Sequence, residues 1–128
     1  MEVNELGVEQ RTRILIVGVP SLLRELIGEI VAGADDIEVV GELPDRGGVL
    51  EFLERTGATF VIAGLAHPPN DSRWDQVLRQ QPGLRVLAVT PRGRDSALYE
   101  LLPRTAALGE LSAETLLSVI RGGHVDAT

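Results

Sequence analysis

The chain has 128 residues, of which 44% are hydrophobic and only 3% aromatic, and it carries a net charge of −7. That length gives one domain with an aliphatic core, and the composition excludes a disordered chain. The acidic balance argues against a nucleic-acid surface, all 12 basic residues are arginine, and the lack of cysteine excludes disulfides, thiolate metal sites and cysteine nucleophiles.

Residues 1–11 read as a flexible acidic tail, unlike a secretory leader, and no apolar run approaches the length of a membrane span, so a cytoplasmic protein is expected. One domain follows over 12–122, with a frayed end over 123–128 that includes His124. Thr12 to Val17 is the first strand. Pro20 suits the start of a helix and Ser21 could cap it. Leu22, Leu23, Leu26, Ile27, Ile30 and Val31 then share a helical stripe that Gly33 stops. Ile37 to Val40 is a second strand, continuing through Gly41-Glu42-Leu43. A second helix carries Val49, Leu50, Phe52 and Leu53 and stops at Gly57.

Phe60 to Leu65 is an apolar run with no polar alternation, the pattern of a strand buried on both faces. Polar and turn-forming residues follow it at once. Asp71 and Ser72 start a third helix, with Ser72-Arg73-Trp74-Asp75 similar to a capping box, core contacts at Trp74, Val77 and Leu78, and Pro82-Gly83 as its end. Val86 to Val89 is the fourth strand, closed by Thr90-Pro91. Asp95 is expected to cap a short fourth helix carrying Leu98, Leu101 and Leu102, with Tyr99 semi-exposed and Pro103 as the stop. Ala106 to Leu108 makes a short fifth strand. Ser112 caps a last helix, with Leu116, Leu117 and Ile120 inward and Gly122-Gly123 at its end. Strands alternating with helices at this spacing predict an α/β domain, and right-handed crossovers make it a doubly wound parallel sheet.

Several stretches in this order resemble a response-regulator receiver domain, and especially receivers that precede a helix-turn-helix output domain. They are Ile14-Leu15-Ile16-Val17 with Ser21-Leu22-Leu23-Arg24, Asp36-Ile37-Glu38-Val39-Val40-Gly41-Glu42, Leu84-Arg85-Val86-Leu87-Ala88-Val89-Thr90, and Ser112-Ala113-Glu114-Thr115-Leu116-Leu117. The resemblance covers Arg13 to Arg121 and implies a flavodoxin-like (βα)5 fold, a five-stranded sheet of order 2-1-3-4-5. It also implies a phosphorylation site at the carboxyl ends of the strands, and there this sequence departs from the pattern. The magnesium-binding acidic pair falls on Gly18 and Val19, the phosphoryl-accepting aspartate on Gly64, and the lysine on Gly109. The aromatic switch position falls on Ala106, and only the hydroxyl position is kept, as Thr90. Without carboxylates there is neither an acyl-phosphate nucleophile nor an oxygen cage for magnesium.

Gly18, Gly64 and Gly109 would share one rim. One reading is a glycine-lined pocket for a small ligand or anion, with Thr90, Arg92 and His67 as contacts and Arg94 nearby. The other is drift to small residues once the metal was lost, since removing clustered acids relieves their repulsion. Gly18-Val19-Pro20-Ser21 opens a helix after a strand but lacks the remaining glycines and lysine of nucleotide loops. His67 has neither a nucleophile nor a carboxylate partner near it in sequence, and Thr90 can simply satisfy local backbone. No nucleophile, base and oxyanion site can be assembled, so no enzyme, cofactor or metal is expected. The expectation is an atypical, phosphorylation-independent receiver-like signalling domain. It would act in protein–protein interaction or dimerisation, with a homodimer expected, no nucleic acid and no membrane. The resemblance places the interface around Tyr99, Leu102 and Leu111. The alternative is the small-ligand or anion sensor.

Overall fold

A strand without polar residues needs apolar cover above and below, and the central strands of this sheet have it. The computed structural model describes residues 11–64, 74–100 and 104–121, with 104–107 as backbone only. Its elements are β1 (Thr12–Val17), α1 (Ser21–Ala32), β2 (Ile37–Leu43), α2 (Val49–Thr56), β3 (Phe60–Gly64), α3 (Asp75–Gln80), β4 (Arg85–Val89), β5 (Ser96–Glu100), β6 (Arg104–Ala107) and α4 (Ala113–Ile120). The sheet runs β2-β1-β3-β4-β5-β6. β2, β1, β3 and β4 are parallel, whereas β5 is antiparallel to β4, and β6 to β5.

Side chains alternate between two cores. Ile14, Ile16, Phe60, Ile62, Leu87 and Val89 meet Leu23, Ile27 and Val31 of α1 and Leu116, Val119 and Ile120 of α4. Leu15, Val17, Val61, Ala63, Val86 and Ala88 meet Val49 and Leu53 of α2, Trp74, and Val77 and Leu78 of α3. Helices on both faces and the order 2-1-3-4-5 make this a flavodoxin-like α/β fold, to which β6 adds a sixth strand. No helix of the described residues is long and apolar enough to cross a membrane.

The helix expected to begin at Asp95 is not found among the described residues. Ser96 to Glu100 forms β5 instead, registered against β4 from Val89↔Ser96 to Arg85↔Glu100. The leucine stripe suggested a helix, but burial decides otherwise. Ala97 and Tyr99 pack into one core, Leu98 into the other, and Ser96 is wholly buried. A short amphipathic helix would leave one side of that segment wet. Tyr99, expected to be semi-exposed, is 4% exposed. The turn before β5 explains the reversal. Thr90 N–H donates to the Asp95 carbonyl (3.0 Å), Gly93 N–H donates to the Thr90 carbonyl (2.8 Å), and Gly93 adopts φ +74°. A residue in that left-handed region suits a hairpin loop, and glycine enters it without strain. Asp95 therefore closes a hairpin rather than capping a helix. The expected strand at Ala106–Leu108 appears as β6, two residues earlier. Leu101, Leu102 and Pro103 lie outside the described residues, as do Leu65, the tail before Arg11 and the residues after Arg121.

Helix ends follow local chemistry. Ser112 caps α4, its Oγ accepting the Thr115 N–H at 3.1 Å. At α1 the cap position is Pro20 rather than Ser21, with no side-chain hydrogen bond. α3 begins at Asp75; Asp71, Ser72 and Arg73, expected to start it, lie outside the described residues. In β2 the register slips: Ile14 faces Val39, Leu15 faces Gly41, and Val40 is the extra residue of a bulge. The Phe52 ring fills the space beside Gly41, where a Cβ would come within 2.8 Å of Cε1, and the Arg55 guanidinium covers that ring at 5.0 Å.

Arg121 fastens the end of α4 to the start of β2 through two bonds to Asp36, Nε to Oδ2 at 2.9 Å and Nη2 to Oδ1 at 3.1 Å. The hydrogen bonds from Arg121 hold the Asp36 carboxyl below its ordinary value. A lowered folded-state value means that the pair's contribution is complete above the unfolded carboxylate range, ~3.9, and is lost as pH falls through the folded one. Arg121→Gln should therefore lower the Tm slightly at neutral pH, with the difference from wild type vanishing by about pH 2 in a pH series of thermal melts. Tyr99→Ala should cost ~3 kcal/mol or more in urea unfolding, as expected for a buried aromatic in a sheet. A cost within ~0.5 kcal/mol, the surface value, would mean that this segment is not the strand described.

Candidate functional site

In a parallel α/β sheet, the chain leaves each strand at its carboxyl end, and the loops there form the usual binding crevice. At this rim β1 runs into Gly18, β3 ends at Gly64 and β4 runs into Thr90. Gly18 adopts φ +65°, which turns the chain sharply toward α1, and its N–H donates to the Leu43 carbonyl at 2.9 Å. The turn brings the Gly18 carbonyl directly over Gly64. A Cβ built on Gly64 would collide with the Gly18 carbonyl oxygen and lie 3.0 Å from its carbon and 3.3 Å from Val19 Cα. These are backbone atoms and cannot swing aside as the end of a side chain can. Val19 is itself buried in the core under α1.

Gly18, Val19 and Gly64 are thus brought together, as the sequence suggested, but without space between them. The cavity that one of the two readings placed beside these glycines is blocked at Gly64 by the Gly18 main chain. Gly109 is different: φ is +74°, and among the described residues no atom beyond its chain neighbours lies within 4 Å of where its Cβ would stand. Its carbonyl accepts the Ser96 Oγ–H at 2.9 Å, and the Leu108 N–H returns a bond to the Ser96 carbonyl at 2.8 Å. Ser96, fully buried, was not singled out in the sequence. A serine beside an apolar run gives no sign that its hydroxyl will hold a distant turn.

The Thr90 hydroxyl is occupied locally. Its Oγ1 accepts the Asp95 N–H at 3.1 Å and lies 3.3 Å from the Asp95 carbonyl oxygen. It serves the hairpin loop, one of the two roles open to it in the sequence. Arg92 and Arg94 are exposed on the same loop. Leu111 is partly buried against the core, with its N–H donating to the Gly93 carbonyl at 2.8 Å. His67 and Leu102 lie outside the described residues. Tyr99, being buried in β5, offers no surface to a partner. Among the described residues no three His, Asp or Glu side chains converge as a metal site.

A concave feature of the described residues lies at the opposite end of the sheet. A groove of about 420 Å³ opens between the carboxyl end of α1 and the start of β2, with Gly28, Ala32, Ile37 and Val39 among its walls. No family model matches the chain, and no characterised protein matches it.

The close approach at Gly64 has a measurable cost when violated. Gly64→Ala should destabilise the fold by about 1–3 kcal/mol, as overpacking does where the neighbours are main chain. Gly64→Asp should cost at least as much. Denaturant melts check this, and a neutral Gly64→Asp would mean that the β1–α1 turn yields freely.

Proposed function

We propose that this chain is an atypical, phosphorylation-independent receiver-like signalling domain that acts by binding another protein. The flavodoxin-like order of its sheet and the sequence likeness along Arg13–Arg121 support the receiver reading. The observation that carries the rest is Gly64. The position where a receiver holds its phosphoryl-accepting aspartate has no side chain, and the Gly18 main chain stands where one would go. The neighbouring positions, Gly18 and Val19, supply no carboxylate for magnesium. Among the described residues no nucleophile, metal cage and catalytic base come together at this rim, which supports a non-enzymatic reading in which the domain works through its surface.

Dimerisation through the face of Tyr99, Leu102 and Leu111 has less support, because Tyr99 is buried and Leu111 already packs against the core. A different protein is therefore preferred to a second copy. The small-ligand reading gains no specific observation, since main chain fills the Gly18–Gly64 corner and the hairpin engages Thr90.

Incubation with acetyl phosphate and magnesium should leave the intact mass unchanged. A magnesium-dependent, near-stoichiometric gain of one phosphoryl group would overturn the proposal.

A further inference from the structure

We propose that the outer edge of β2, with the groove beside it, receives an extended segment of a partner protein that carries alternating apolar and basic side chains. This rests on the reading of the chain as an interaction domain and adds the surface and the chemistry of the partner.

β2 is the end strand of the sheet, and β1 is its one strand neighbour among the described residues. The register tells which peptide groups are spent. Thr12 N–H donates to the Asp36 carbonyl at 2.8 Å, and Thr12 lies opposite Ile37. In a parallel ladder the residues flanking Ile37 then bond inward to β1, so the N–H and C=O of Ile37, and of Val39 two residues on, point to the open side. Peptide groups in that position are a template for an added strand.

The two halves of this edge differ. From Val40 onward a bulge breaks the register, and Phe52 covers Gly41. Such features discourage strand addition. The half before the bulge is straight, and it is the half that the groove accompanies. The buried faces of Val31, Ala34 and Ile37 form its apolar floor, and Gly28 and Ala32 keep the helix side low. Among the described residues, a Cβ at Gly28 would meet no atom within 4 Å beyond the backbone of its own helix. There is room for an alternate side chain of an incoming strand to lie between β2 and α1.

Charge selects the occupant. The groove is rimmed by Asp35 and Glu38 against Arg11, and the chain as a whole is at −7. A second copy paired edge to edge would bring its own Asp35 and Glu38 toward these, and opposed like charges destabilise a strand pair. A basic segment meets two carboxylates, Asp35 and Glu38, against the single like charge of Arg11. The Asp36 carboxylate next to the rim is already engaged by Arg121.

The probe is a fluorescein-labelled peptide of alternating arginine and valine, with a glutamate–valine peptide of equal length as control, titrated by anisotropy into the whole chain. The arginine peptide should bind saturably and the glutamate peptide should not. Binding should slow amide exchange at Ile37 and Val39. Gly28→Leu, which fills the groove and improves helix propensity, should weaken binding at least tenfold with no loss of Tm. Glu38→Lys should weaken it in a salt-dependent manner. Val39→Pro removes an outward N–H that the β1 ladder does not use, and should also abolish binding. Failure of the arginine peptide to bind, or undiminished binding to Gly28→Leu and Val39→Pro, overturns the site. A concentration-dependent dimer that Gly28→Leu abolishes overturns it in favour of a second copy. None of these outcomes bears on phosphoryl transfer, and a phosphoryl mass gain would sink the broader reading while leaving the peptide result standing.

Discussion

The structure depends on the burial of β3 on both sides. Phe60, Val61, Ile62 and Ala63 are all within 1% of complete burial, so the strand must lie inside a sheet with helices above and below. Its neighbours inherit the requirement: β1 and β4 are apolar along nearly their whole length and register against it residue by residue. The two cores are the two faces of this one constraint, each fed by alternate residues and closed by two helices. Fully burying a single Ile or Leu contributes ~1.5–3 kcal/mol. The central strands therefore supply the main apolar drive, and the edges are free to vary.

That division explains what could be read from the residues. β1 to β4 and the helices around them were legible, because continuous apolar runs and helical stripes alternate between clear stops such as Gly33, Gly57 and Pro82-Gly83. The segment from Ser96 to Glu100 was not. A short run such as Ala97-Leu98-Tyr99 fits a buried strand and one side of a helix equally well, and Leu101 and Leu102 tilted the pattern toward the helix. The deciding groups were Gly93 in its left-handed conformation and the bonds between Thr90 and Asp95, which turn the chain back on itself. Gly93 was visible, but nothing local says whether a glycine in a polar loop reverses a strand or merely precedes a helix.

The rim shows a similar limit. Glycines at positions 18 and 64 were plain in the sequence, and with them the lack of any carboxylate. What they do was not, because an absent side chain can leave a hole or admit another part of the chain. Here the Gly18 main chain moves into the vacated space, a close approach that only glycine at 64 permits. The bond from Gly18 N–H to the Leu43 carbonyl ties the same turn to β2, so the corner is a packed junction of three strands. A ligand pocket and a drift to small residues were the two readings of that corner, and at Gly64 itself the main chain leaves no room for a ligand.

The clamp between Arg121 and Asp36 joins residues 85 positions apart, and this separation governs the order in which the molecule can be completed. β1, α1 and β2 are made first, yet the apolar face they share with β3 and β4 receives Leu116, Val119 and Ile120 only from α4. During synthesis that face is completed only after the segment up to Ile120 has been made. Contacts of such long range raise the entropy of loop closure and slow folding. Until α4 docks, α1 alone covers that apolar face, and association with chaperones or other nascent chains competes with its completion.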